Sequence, residues 1–113
     1  MTTEELNAQL YQKMAAEQAQ YREHLLTLPP TEILNHAEEY LSRENILHLL
    51  AYKRLHPTRV KALLKSETPL ADIYAKWNSW DHTKQQEAIW AAVEARSGEV
   101  LRAEFAASQR TER

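Results

Sequence analysis

A single glycine, Gly98, occurs among the 113 residues, and this scarcity is the strongest constraint on the fold. Sheets need tight turns, and tight turns use glycine for its backbone freedom. The β-branched aliphatic residues that favour strands are also sparse, with three valines and four isoleucines. Good helix formers dominate instead, chiefly Ala, Leu, Glu, Gln, Lys and Arg. The sequence therefore predicts an all-α protein.

Four prolines divide the chain, because proline ends a helix or occupies its first turn. They are Pro29, Pro30, Pro57 and Pro69. Between them, apolar residues recur at steps of three and four, the spacing of one helix face. The second of these faces consists of Ile33, Ala37, Tyr40 and Leu41. We predict a compact bundle of five to six helices with long first and last helices, forming a single helical domain over residues 1–113 with a polar tail at 108–113.

Capping residues set the predicted helix boundaries, since Ser, Thr and Asp side chains accept the free backbone N–H groups of a first turn. Thr2, with a glutamate three residues later, has the spacing of a capping box. We expect Ser42 to begin the third helix and Thr68, which precedes a proline, to begin the fifth. Asp81 should cap the last helix, over about residues 82–107.

Charge is distributed unevenly along the chain, although the net charge is only −2. Residues 1–44 carry eight acids and three bases, whereas residues 45–66 carry five bases and no acid. A chain that is acidic overall has no general attraction to nucleic acid. Only the local basic segment therefore points toward phosphate binding.

The composition also excludes several classes of protein. There is no cysteine, so there is no disulfide framework, thiolate ligand or thiolate nucleophile. The first residues lack the basic and apolar regions of a signal peptide, and no apolar run approaches the ~20 residues of a membrane span. One glycine precludes the glycine-rich loops that bind phosphates and dinucleotides. We expect a cytoplasmic protein with no catalytic site and no cofactor.

Two segments resemble a known family, LYQKMAAEQAQYREHLLTLPPTEILNHAEEYLSRENIL and KALLKSETPLADIYAKW. Their most specific pieces are the prolines at 29–30 followed by EIL at 32–34, and ALLKS at 62–66 followed by PLAD at 69–72. Over about residues 6–100 the chain resembles the domain of unknown function 3848 family. The resemblance implies a small helical protein of Gram-positive mobile elements and prophages, with no established activity and no functional residues to transfer.

The resemblance also implies a mode of action, because small proteins of mobile elements often bind a host or rival machine. We therefore expect a non-enzymatic protein-binding module. Its target would be a host defence or nucleic-acid-handling complex, such as a CRISPR complex, which it would inhibit sterically as anti-CRISPR proteins do. The alternative is a direct DNA- or RNA-binding accessory protein that uses residues 53–65. The long first helix, with its weakly apolar middle, also allows a homodimer.

The basic segment holds the best candidate site. We define the basic junction as Lys53, Arg54, Arg59, Lys61 and Lys65, which surround one predicted helix–turn–helix connection. A tight turn there would present these side chains together to phosphate groups. The other interpretation is a solvated face whose charges balance the acidic first helix.

Three tryptophans supply a further candidate. Trp77 continues the apolar face of the predicted fifth helix, whereas Trp80 lies in the polar stretch at its end. An exposed tryptophan suits an anchor for a protein partner, so we add Trp80 to the candidate partner-binding residues. The other interpretation packs Trp77, Trp80 and Trp90 together in a core where the last two helices meet.

Two histidines lie one helical turn after a glutamate. The pairs are Glu32 with His36 and Glu44 with His48, and two ligands on one helix face are a geometry that zinc sites use. The sequence contains no H-x-x-x-H or H-E-x-x-H motif, so a site would need ligands from several helices. The favoured interpretation is ordinary surface pairs at i,i+4 spacing, with no metal, and a metal site is the alternative.

Overall fold

The structure is a computed structural model, and it describes residues 1–111. Across these residues it contains six α-helices and no strand, which confirms the all-α fold with long first and last helices. The helices are α1 (Thr3–Leu26), α2 (Pro30–Asn35), α3 (Ala37–Tyr52), α4 (Pro57–Leu64), α5 (Pro69–Asn78) and α6 (Thr83–Thr111). They form two compact units: Met1–Ser79 contains α1 to α5, and a second unit that begins at Trp80 contains α6.

The first helix begins at the predicted cap. The hydroxyl of Thr2 accepts the backbone N–H of Glu5 at 3.1 Å and donates to the Glu5 carboxylate at 3.2 Å. At the other end, Pro29 is extended, and α2 starts at Pro30. Proline removes a backbone donor and clashes with the preceding turn, so α1 stops before this pair.

The predicted boundary at Ser42 is wrong. Ser42 lies inside α3, and the break falls instead at His36, the one residue between α2 and α3. The His36 N–H is shared between the carbonyls of Glu32 and Ile33, at 3.3 and 3.1 Å, which ends the short α2. Beyond it the helix runs through Ser42 because the next residue, Arg43, is buried against α1. Tertiary burial outweighs the local preference of serine for a cap.

The core of the first unit forms around α1. Apolar residues at steps of four along α1 are buried, and they pack against one buried residue of α4 and one of α5. Half-buried apolar side chains surround this cluster, and they come from α3, α4, α5 and the loop before α4. The buried cluster comprises Leu6, Leu10, Met14, Val60 and Leu70.

Polar side chains on α1 hydrogen-bond the backbone of the connecting loops. Asn7 accepts the N–H of Leu55 and donates to its carbonyl, both at 3.0 Å. The Lys13 ammonium donates to the carbonyls of Leu64 and Ser66, at 3.0 and 2.6 Å, at the end of α4. Unpaired backbone groups are costly when they are buried, so α1 stabilises these loops directly.

A glutamate on α1 also caps α5. The Glu17 carboxylate accepts the N–H groups of Leu70 and Ala71, both at 2.8 Å. The predicted side-chain cap at Thr68 is wrong, since its hydroxyl donates to Asp72 at 3.4 Å and accepts no backbone N–H of the helix. A carboxylate at a helix N-terminus also interacts favourably with the helix dipole, which explains why Glu17 can replace the local cap.

Within the described residues, the second unit contains one long helix. The Asp81 carboxylate accepts the backbone N–H of Thr83 at 2.9 Å and also its hydroxyl, and α6 begins at Thr83, one residue after the predicted start at 82. These two hydrogen bonds lower the pKa of Asp81. The helix continues through Thr111, beyond the predicted end at 107, and residues 112–113 lie outside the described part of the chain. Among the described residues, no helix has the length and apolar character that crossing a membrane requires.

Candidate functional site

The basic junction is exposed at all five positions. Lys53 and Arg54 come directly after α3. Arg59 and Lys61 lie on α4, and Lys65 is the first residue after that helix. The apolar side of α4, with Val60 buried, faces α1 and leaves these cations in solvent. The predicted clustering of basic side chains around one connection is therefore present in the first unit.

One cation of the basic junction pairs with an acid of α1. Arg54 Nη1 lies 2.6 Å from Glu4 Oε1, and both side chains are more than half exposed. Within residues 1–111, the other four cations of the junction have no carboxylate within 4.0 Å. Among the described residues, direct ion pairing of the junction with the acidic first helix thus involves Arg54 alone.

The tryptophans differ in exposure. Trp77 is half-buried on α5, whereas Trp80 and Trp90 are 60% and 63% exposed. Trp80 begins the second unit, so the structure describes it separately from the basic junction. Its exposure fits the anchor that the sequence suggested, and Trp90 has the same property.

A buried arginine, which the sequence reasoning missed, joins α1 and α3. Arg43 lies 2.7 Å from Glu39 and 4.0 Å from Glu17, and its guanidinium stacks over the ring of Tyr21 at 4.0 Å. The only sequence signal was the weakly apolar middle of α1, where Glu17 and the buried Gln18 interrupt the stripe. Gln18 completes the cluster by donating to the Tyr40 carbonyl and the Glu44 carboxylate.

The phenols around Arg43 are kept in their neutral form. Burial, together with the nearby Glu39 carboxylate, raises the pKa of Tyr21 to about 12. Burial and the same carboxylate also raise the pKa of Tyr74. A tyrosine that stays protonated is a poor nucleophile and a poor base, and the arginine charge is already paired. The cluster therefore suits a structural role.

An apolar groove opens between the end of α1 and the helices that follow it. Its volume is about 420 Å³, and Leu26 and Leu41 on its walls are more than half exposed. The lining residues are Arg22, Leu25, Leu26, Ile33, Ala37, Tyr40 and Leu41. Four of them form the apolar face that the sequence predicted for one helix. The structure divides this face between α2 and α3 and leaves it open.

The histidine–glutamate pairs show no metal-binding arrangement. In the described chain, no group of three or more His, Asp or Glu side chains is placed to hold a metal ion. Glu44 is engaged by Gln18, and the His48 ring packs edge-on against Tyr52 at 4.8 Å between centroids.

Comparison with known proteins places the chain in a family. The family model described as "Protein of unknown function (DUF3848)" matches residues 6–101, the greater part of the sequence. The chain belongs to the DUF3848 family. The match runs from the buried start of α1 into α6 and confirms the resemblance seen in the sequence. No curated protein and no solved structure matches this DUF3848 chain.

Proposed function

We propose that this DUF3848 protein is a non-enzymatic, cytoplasmic protein-binding module that acts by covering a surface another molecule needs. The apolar groove is the observation that carries the proposal. Contiguous exposed apolar surface is unfavourable in water and marks interaction sites. Burying one exposed leucine side chain contributes about 1.5–3 kcal/mol. The exposed Leu26 and Leu41 of the groove therefore offer substantial binding free energy.

The occupant proposed for the groove is an amphipathic helix of a partner protein. Helices bind in apolar grooves through anchors spaced at i, i+3 or i+4 and i+7, and three neighbouring helical segments form such walls here. Arg22 is the one charged residue of the lining. A partner helix with an acidic residue beside its apolar anchors would pair with it.

The proposed target is a complex that handles nucleic acid, such as a CRISPR complex or another host defence machine, and the mobile-element origin that we propose with it follows from the family resemblance alone. Two observations support this class. The apolar groove and the basic junction both belong to the first unit, and within residues 1–111 four cations of the junction have no acidic partner. In a complex that carries nucleic acid, the groove would bind protein while these cations approach phosphates.

A groove substitution should reduce partner recovery at least tenfold, which corresponds to about 1.4 kcal/mol of binding free energy. The change is Leu41→Glu, which introduces a charge at an exposed position of the groove. The tagged chain is used to capture partners from host lysate after nuclease treatment, and each recovered protein is quantified by mass spectrometry.

The matched control is Leu49→Glu, because Leu49 lies on the same helix, is 53% exposed and lies outside the groove. It should recover the partner as the unmodified chain does. Equal recovery by Leu41→Glu and the unmodified chain would contradict the groove as the binding site. Loss of every partner after nuclease treatment would contradict protein binding itself.

Direct nucleic-acid binding is the second proposal, and it is supported by the four cations of the basic junction that have no acidic partner in the described part of the chain. Lys61→Glu with Lys65→Glu should weaken binding to DNA or RNA oligonucleotides. The slope of log affinity against log salt should fall by roughly 1.4–1.8, because each lost phosphate contact contributes about 0.7–0.9. Fluorescence anisotropy in a salt series measures this slope.

The control for that experiment is Lys76→Glu with Lys84→Glu, which changes the net charge equally at exposed lysines outside the junction. This variant should keep the slope of the unmodified chain. Absence of binding at low salt, or equal slopes for the two double variants, would remove the basic junction as a nucleic-acid site.

A further inference from the structure

An exposed aromatic side chain ends α3. Tyr52 is 72% exposed, although α3 packs against α1 and α5. The rings of His48 and Tyr52 lie 4.8 Å apart between centroids, with their planes at 77°. An edge-to-face pair covers at most one face of either ring. A face of the Tyr52 ring is therefore open to a flat ligand, while the contact with His48 restricts the rotation of the ring.

The chain around Tyr52 carries charge of one sign. Lys53 and Arg54 follow it directly, and residues 45–66 contain five bases and no acid. Arg54 is paired with Glu4, whereas Lys53 has no carboxylate within 4.0 Å among residues 1–111. An open ring beside an unpaired cation suits a ligand that combines a flat apolar surface with negative charge. Every nucleotide has both, in its base and its phosphate.

We propose that Tyr52 stacks on an unpaired base, so that the nucleic acid bound by the basic junction is single-stranded. The inference rests on the second proposed function, direct nucleic-acid binding, and names the class of its ligand. In a duplex the faces of each base are covered by its neighbours, so a surface ring reaches only bases that have left the stack. Proteins that bind single strands combine cations along the backbone with rings on which bases stack. Tyr52 supplies such a ring, and Lys53 is the adjoining cation.

The test compares four labelled ligands with the full chain by fluorescence anisotropy. Two are oligo-dT and oligo-U strands of about 12 nucleotides, within the usual site size of single-strand binding domains. The third is an abasic strand of the same length, which keeps the phosphates but offers no base, and the fourth is a blunt DNA duplex. We expect at least one of the two strands with bases to bind at least about fivefold more tightly than the abasic strand, because stacking of one base contributes that much.

Two substitutions of Tyr52 separate its ring from its hydroxyl. Tyr52→Ala should weaken binding of the strands with bases at least about fivefold. It should change binding of the abasic strand less than about twofold, because the phosphate contacts remain. Tyr52→Phe keeps the ring and should retain the affinity of the unmodified chain. The matched control is Phe105→Ala on α6, which removes a ring that is 67% exposed and lies outside the basic junction, and it should leave every affinity within about twofold.

The outcomes distinguish this inference from the function on which it rests. Unchanged strand binding by Tyr52→Ala, or tighter binding of the duplex than of either strand, overturns stacking while nucleic-acid binding stands. An equal loss of affinity for the abasic strand also overturns stacking. Absence of binding to every ligand at about 50 mM salt overturns both proposals. Unchanged strand binding with loss of a nuclease-resistant protein partner would assign the ring to that partner instead.

Discussion

Replacing Arg43 with alanine should lower the free energy of unfolding by about 3–5 kcal/mol, the range found when one member of a buried ion pair is removed. The Arg43 side chain is 10% exposed, lies 2.7 Å from Glu39 and covers the ring of Tyr21. Its removal leaves the Glu39 and Glu17 carboxylates without the cation that offsets their desolvation. Glu17 also caps α5, so the loss should extend to that helix.

Urea denaturation followed by circular dichroism at neutral pH measures this change. The matched control is Arg54→Ala, because Arg54 forms an equally short ion pair with Glu4 while 60% of its side chain is exposed. Exposed pairs contribute about 0–1 kcal/mol, so this variant should remain close to the unmodified chain. Equal destabilisation by the two variants would show that burial around Arg43 has no energetic role.

Leu10→Ala should destabilise the first unit by about 2–5 kcal/mol, through lost transfer free energy and the cavity left behind. Leu10 is 1% exposed and lies in the centre of the buried stripe of α1. The control is Leu34→Ala, an identical change at a leucine that is 73% exposed, and it should alter stability by less than about 0.5 kcal/mol. The same urea titration compares them. A loss below about 1 kcal/mol for Leu10→Ala would contradict the core assignment.

Local signals in the sequence predicted local features of the fold. The scarcity of glycine, the four prolines and the apolar spacing led to an all-α chain whose first helix stops at the proline pair and whose later helices begin at Pro57 and Pro69. The cap at Thr2 was also predictable, because donor and acceptor lie three residues apart. These features depend on neighbouring residues, for which sequence spacing alone is informative.

Features that depend on distant residues were missed. Glu17 caps α5 across 53 residues, and no local pattern distinguishes it from a surface glutamate. The error at Ser42 has the same origin, since the burial of Arg43 against α1 keeps α3 continuous. Glu17 lies in the weakly apolar middle of α1 and Arg43 packs against it, whereas the sequence analysis interpreted this stretch only as allowing a homodimer.

The same distinction between local features and features that depend on distant residues applies to the candidate surfaces. Cations at the basic junction were predicted to face outward because α4 alternates apolar and basic residues, and they are exposed. The apolar groove needs the end of α1 beside α2 and α3, and one helix face does not reveal it.

The polar side chains of α1 also have a consequence for synthesis. Asn7, Lys13 and Glu17 bond backbone groups that follow them by 48 to 54 residues. At about 5–20 residues per second, those partners are translated roughly 3–10 s after α1. During that interval Leu6, Leu10 and Met14 lack the residues of α4 and α5, Val60 and Leu70, that cover them in the folded unit. The first unit can therefore complete its core only after the start of α5 has been translated.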